Sequence, residues 1–141
     1  MFLTAITRHP FWQSWGLLIA RLVIAGVFAM ACAFKFLDMN GTAGYIAAVG
    51  IPLSLPLAWI AAIFEVLLTL AFLTGAFMRE AALLALIYVL FLAVMFHGPS
   101  HWEGNQAEFG SFVDHFVFAA GLLYMLAIGP GPLAFRKEAQ P

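Results

Sequence analysis

The sequence predicts an all-α, polytopic membrane protein: an antiparallel four-helix transmembrane bundle with a short interfacial helix between spans one and two. Composition is the first reason. Of 141 residues, 65% are hydrophobic and only 9% are charged, and the mean hydropathy is +1.01. Soluble domains average about 45–50% apolar and about 25% charged, and a soluble chain of this length cannot hide the excess. The second reason is that four apolar segments approach the roughly 20 residues needed to cross a bilayer. The third is that Lys and Arg fall mostly in the segments that an even number of crossings puts on one side of the membrane.

The first span is expected at about residues 15–36, with Trp12 and Trp15 in the aromatic belt at its start. Ala29-Met30-Ala31-Cys32 has some likeness to a lipoprotein processing site. The position before it is not the usual Leu, so the segment is read as a retained span. A short helix is expected at about 41–49. Asp38 or Asn40 would cap it, Gly50 would stop it and Pro52 follows, and with Tyr45, Ile46 and Val49 it would lie flat at the outer interface. The second span is expected at 56–77, a tight hairpin at Met78-Arg79-Glu80, and a short third span at 81–97 broken by Gly98-Pro99. The fourth is expected at 112–129. With no repeat or linker, residues 1–141 read as one membrane domain.

Orientation follows from charge. Arg8, Arg79, Arg136 and Lys137 share one side, with Arg21 just inside it, and only Lys35 marks the other. The positive-inside rule then makes both termini cytoplasmic. The net charge of -1, with no basic stretch interleaved with aromatics, gives no sign of nucleic-acid binding. One cysteine excludes an internal disulfide or a cysteine cluster. No flavin, haem or iron–sulfur signature is present.

The residues that carry chemistry are few. Glu65 interrupts an apolar run and shares its helix face with Ala58, Ala61, Ala62 and Thr69, while Ile60, Ile63, Leu67 and Leu70 take the other side. Small residues allow close helix approach, so Glu65 should face protein and not lipid. In the first span Arg21, Ala25, Phe28, Cys32 and Lys35 are spaced 4, 3, 4 and 3, which keeps them within about 40° of one stripe. Depths counted from the span edges place Arg21 and Glu65 about 6–7 Å apart in level. An Arg21–Glu65 contact is therefore expected, either as a packing and register device or as part of a proton or substrate site. Cys32 reads as a small packing residue.

A second cluster is expected at the outer ends of the spans, from Lys35, Asp38, His97, His101, Asp114 and His115, with Tyr45, Trp102 and Phe109 nearby. Imidazoles and carboxylates are a donor set for zinc or copper. The spacing from His97 to His101 straddles Pro99, however, and no metal site is assigned. Polar caps on helix ends, or a pocket for the polar head of an amphiphile such as a quinone, fit the same residues.

Several of these pieces, in order, resemble the DoxX family. They are Arg21-Leu22, Phe34-Lys35-Phe36, the helical loop from Gly44 to Gly50-Ile51-Pro52, Glu65, the turn Gly75-Ala76-Phe77-Met78-Arg79, His97, and Gly129-Pro130-Gly131. The resemblance runs from about residue 16 to 132. It implies a four-helix bundle in a prokaryotic cytoplasmic membrane and an association with redox work, one relative being a subunit of a thiosulfate:quinone oxidoreductase. Two positions depart from the pattern. Cys32 stands where a small residue, often Gly, precedes the Lys, and Asp114-His115 stands where Lys-Asn is common, which reverses the local charge.

The leading expectation is a membrane redox component, a subunit of a quinone-linked oxidoreductase, that handles a quinone or similar amphiphile. Glu65 and Arg21 would take the proton chemistry, and Lys35, His97, His115 and Trp102 would contact the headgroup. Its surroundings would be the lipid bilayer and a redox partner subunit or further copies of the chain. The alternatives are a non-catalytic scaffold or assembly subunit, and a small-solute or metal conduit.

Overall fold

The structure, a computed structural model, describes residues 10–135. Arg8, Arg136 and Lys137, on which the expected orientation partly rests, lie outside the described residues. The described chain is helical, with no strand. A π-helical turn, Trp12–Gly16, leads into α1, Leu17–Leu37; then come α2, Met39–Ala48, α3, Ser54–Thr74, and α4, Met78–His97. A 3₁₀ turn at Pro99–His101 precedes α5, Gln106–Ile128. Four helical stretches are long and apolar enough to cross a membrane: Trp12–Leu37, Ser54–Thr74, Met78–His101 and Gln106–Ile128. The chain is a polytopic, all-helical membrane protein.

It divides into two compact units. The first holds residues up to Met78 together with those from Gly129 onward. Within it α1 and α3 pack along their length, and α2 lies against α3. The buried stripe of α1 is Arg21, Ile24, Ala25, Phe28 and Cys32, and that of α3 is Ala58, Ala62, Glu65, Leu68 and Phe72. Phe28 and Phe72 stack nearly parallel, with centroids 5.9 Å apart. Ile60, Ile63, Leu67 and Leu70 are exposed, as a lipid-facing side requires.

Local signals explain the boundaries. The Asp38 side chain accepts from the Gly41 N–H at 2.8 Å, which fixes the start of α2. A side chain at 41 would run into that carboxylate. Gly50 takes a left-handed φ of 80° and ends the helix. α3 ends on Gly75 at φ 74°. The turn expected at Met78-Arg79-Glu80 lies instead at residues 75–77, because Gly75 and Phe77 both adopt left-handed backbone and end α3 there. Met78, Arg79 and Glu80 form the first turn of α4, where the acidic Glu80 suits the helix N-terminus.

The second unit is Arg79–Ile128. α4 buries Ala82, Ala85, Val89, Ala93 and Phe96 on one stripe, and α5 buries Ala119, Leu122 and Met125. α5 begins six residues before its expected start at 112. Hydropathy places the boundary where the apolar run begins. The polar segment from Gln106 is helical nonetheless, and Glu108 sits in the first turn, where the helix dipole favours a carboxylate.

Gly75→Ala tests the first unit. A Cβ at this position would lie 2.7 Å from the Ala134 Cβ and 2.8 Å from Arg21 Nη1, in a backbone conformation that disfavours Ala. The variant is expected to lose about 2 kcal/mol or more of stability, seen as a lower unfolding midpoint in detergent. An unchanged midpoint would show that this turn is not under the stated constraint.

Candidate functional site

The first unit holds two separate buried charges. Arg21 is 1% exposed, and its guanidinium donates to four backbone carbonyls. Nε reaches Phe72 O at 3.1 Å, Nη2 reaches Leu73 O at 3.1 Å, and Nη1 reaches Pro130 O at 2.9 Å and Leu133 O at 3.2 Å. The first two carbonyls belong to the last turn of α3, which has no intrahelical donors for them. The other two belong to the segment after α5. Gly131, at φ 74° and tight against Leu17, and a hydrogen bond from Phe135 N to Thr74 O hold that segment in place. The Gly-Pro-Gly element is thus the part of the chain that Arg21 grips.

Glu65 is also 1% exposed, and its Oε1 accepts from Lys35 Nζ at 2.8 Å. The expected Arg21–Glu65 contact is not the one formed. Arg21 bonds at the level of Phe72, and Glu65 is seven residues earlier in α3, about 10 Å away in rise. Lys35 lies fourteen residues beyond Arg21 on the same stripe of α1, and its long stem reaches back to the carboxylate. The stripe is as expected; the partner on it is the lysine. Lys35 therefore pairs within the first unit. Thr69 Oγ1 donates to Glu65 O at 2.8 Å, and Cys32 Sγ to Ala29 O at 3.1 Å, both ordinary contacts within a helix.

The second unit gathers His97, His115 and Trp102 at the end that carries the α4–α5 connection. Gly98 and Pro99 stop α4 directly after His97. Trp102 Nε1 donates to His97 O at 2.8 Å, supplying a donor for that helix end. The Trp102 indole meets Phe109 and Phe112 edge to face, each at 5.1 Å between centroids. His97 Nδ1 lies 2.6 Å from Glu108 Oε2. The His97 and His115 rings are 4.9 Å apart at 39°. His115 Nδ1 lies 2.7 Å from Ser111 O. Glu108 and His115 are seven residues apart, two turns of one helix, so α5 presents both on the same side. The side chains of His97 and Glu108 are 18% and 27% exposed, so the group is partly open.

Glu108 is not among the residues expected from the sequence. A span starting at 112 leaves position 108 outside the helix, with no defined direction. A helix start at Gln106 gives it one. Among the described residues, no three His, Cys, Asp or Glu side chains converge as a metal would require. At the opposite end of this unit, Arg79 donates to Leu126 O at 2.7 Å, Ala127 O at 3.0 Å and Ile128 O at 3.2 Å, the last carbonyls of α5.

Helical spans with polar groups confined to their buried stripes and their ends define a small polytopic membrane protein, and comparison with known proteins narrows the class. The family profile DoxX matches residues 16–98. Inner membrane protein YphA of Escherichia coli (strain K12) is 33% identical over 126 residues, covering 86% of this chain and 89% of that protein. The chain belongs to the DoxX family. No solved structure matches it.

Two outcomes follow from these contacts. Arg21→Lys keeps the charge but loses the planar fork, and stability should fall by about 3 kcal/mol as several carbonyls lose their donors. Lys35→Met should cost about 2–3 kcal/mol, below the range for a wholly buried pair because the Lys35 side chain is 21% exposed. Thermal unfolding in detergent reads both. An Arg21→Lys protein as stable as wild type would remove the assigned role.

Proposed function

We propose that this chain is a multi-pass inner-membrane redox component that binds the headgroup of a quinone or similar amphiphile at His97, His115 and Trp102. One observation carries this reading. Two imidazoles lie in ring contact at a span end, each with Nδ1 already engaged, beside an aromatic group formed by Trp102, Phe109 and Phe112. In this reading each ring keeps its Nε2 for the ligand. Such a place suits a molecule with a flat polar head and an apolar tail. In this reading the Lys35–Glu65 pair is an intramembrane proton site, since both groups can exchange a proton, and Arg21 supports it through the packing of α1 on α3. A quinone reduced at the His97 end takes up two electrons and two protons. The sequence has no resident redox group, so the electrons come from a partner redox subunit.

Inner-membrane placement follows from the family and from the E. coli relative's name. The positive-inside rule puts both termini in the cytoplasm and the His97 end outside. The engagement of Arg21 and Arg79 with backbone carbonyls favours a second reading, in which the whole chain is one scaffold domain for a membrane complex without chemistry of its own.

Native mass spectrometry of the protein extracted with its lipids separates the two. The redox reading expects a co-purifying quinone-like amphiphile whose occupancy falls at least severalfold in His97→Ala and His115→Ala, with Glu65→Gln changing turnover more than occupancy. A protein that carries no amphiphile, and whose variants differ only in unfolding temperature, would leave the scaffold reading in its place.

A further inference from the structure

We infer that the chain is hinged at the end of its spans that carries Arg21 and Arg79, and that its two units rotate about this end as separate bodies. The motion needs no ligand and is independent of the headgroup reading.

The covalent path sets the pivot. The chain passes between the units twice, from Met78 to Arg79 and from Ile128 to Gly129. On each side of these passages an arginine ties the outgoing segment to the returning one. In the first unit, Arg21 donates to Phe72 O and Leu73 O on the outgoing segment, and to Pro130 O and Leu133 O on the returning one. The N–H of Phe135 adds a backbone tie to Thr74 O at 2.8 Å. In the second unit, Arg79 opens the outgoing segment and donates to Leu126 O, Ala127 O and Ile128 O at the end of the returning one. Both passages are thus held at one end of the spans.

Little chain is left between the two ties. On the returning segment Arg79 binds Ile128 O and Arg21 binds Pro130 O, so Gly129 alone separates them. Gly129 is at φ 85°, and without a Cβ it accepts changes in φ and ψ that another residue resists. On the outgoing segment the residues between the ties include Phe77, at φ 53°, in a region that a non-glycine residue rarely takes. Hinges are a few residues at element ends that absorb a large backbone change while the bodies on either side keep their contacts. Each body here has contacts of its own. α1 packs on α3 in the first. In the second, α4 and α5 are joined again far from the pivot, by the His97–Glu108 contact and by Trp102, which bonds His97 O and packs on Phe109.

Rotation at the pivot acts mostly at the other end. α4 runs 20 residues to His97, about 30 Å. A turn of about 10° moves that end by about 5 Å relative to the first unit. Lys35 stands near the end of α1 away from Arg21, and His97 at the end of α4 away from Arg79. The hinge therefore varies the separation of the Lys35–Glu65 pair from the His97 group while leaving each intact.

Dipolar electron paramagnetic resonance of the full chain in nanodiscs tests this, with spin labels at exposed positions in a Cys32→Ser background. Leu55→Cys with Val94→Cys joins the two units far from the pivot, and Leu73→Cys with Leu84→Cys joins them beside it. Phe34→Cys with Leu55→Cys lies within the first unit. The far pair is expected to give a distance distribution about 5 Å wider than the within-unit pair, and the pair beside the pivot one as narrow as the within-unit pair. A far pair as narrow as the within-unit pair would make the chain one rigid body and overturn the inference. Far and near pairs of equal width would remove the pivot from this end and overturn it as well. Arg79→Gln cuts one tie and should widen the near pair; an unchanged near pair would overturn the pivot as drawn. The comparison with Arg79 intact decides the inference even where that variant does not fold.

Discussion

Backbone carbonyls at the C-terminal ends of membrane helices are the constraint on which the structure depends. The last four carbonyls of any α-helix lack intrahelical donors, and hydrocarbon supplies none. This chain solves the problem with arginine. Arg21, on α1, serves Phe72 and Leu73 at the end of α3, and Arg79, on α4, serves Leu126, Ala127 and Ile128 at the end of α5. A guanidinium has five N–H donors, no acceptor, and a charge it does not lose. It fits the negative end of the helix dipole as well as the carbonyls themselves. Glycine completes the arrangement: only a residue without a Cβ lets Gly75 approach both Arg21 and Ala134.

The other buried charge follows from this choice. With Arg21 held at the Phe72 level, Glu65 meets the cation farther along the same stripe, Lys35. In each unit the permanently charged arginine sits at one end of the spans. The side-chain pairs, Lys35 with Glu65 and His97 with Glu108, lie toward the other. Helix-end carbonyls and carboxylates are thereby served by different cations, arginine for the first and lysine or histidine for the second.

Much of this was legible in the sequence. Composition alone fixed the class, because no arrangement of a soluble chain could bury so much apolar surface. The 4-3-4-3 spacing identified the inward stripe of α1, and the small-residue face of α3 identified the direction of Glu65. What could not be read were contacts made by the ends of long side chains. The level estimate for Arg21 and Glu65 compared Cα positions, whereas the carbonyls that Arg21 serves include two contributed by a segment more than a hundred residues away in sequence. Glu108 was obscure for a different reason. Hydropathy reports where a helix enters apolar surroundings, not where it begins, so the polar first turns of α5 looked like loop. Once that segment is helical, the seven-residue spacing to His115 becomes a structural statement.

The orientation of imidazoles then carries information that residue identity does not. His97 and His115 are the same side chain, and a list of site residues treats them as interchangeable donors, acceptors or ligands. Their Nδ1 partners remove that freedom. Ser111 O comes from the same helix and the preceding turn, so the tautomer of His115 follows from the regular geometry of α5 itself. Glu108 reaches His97 from α5 to the end of α4. The contact between His97 and Glu108 therefore holds only while those two helix ends stay together. Trp102, bonded to the carbonyl of His97 and packed on Phe109 and Phe112 of α5, ties the same two ends by an independent contact. Loss of the indole should therefore act on the His97–Glu108 contact as well as on packing, because it loosens the approach of the two helix ends.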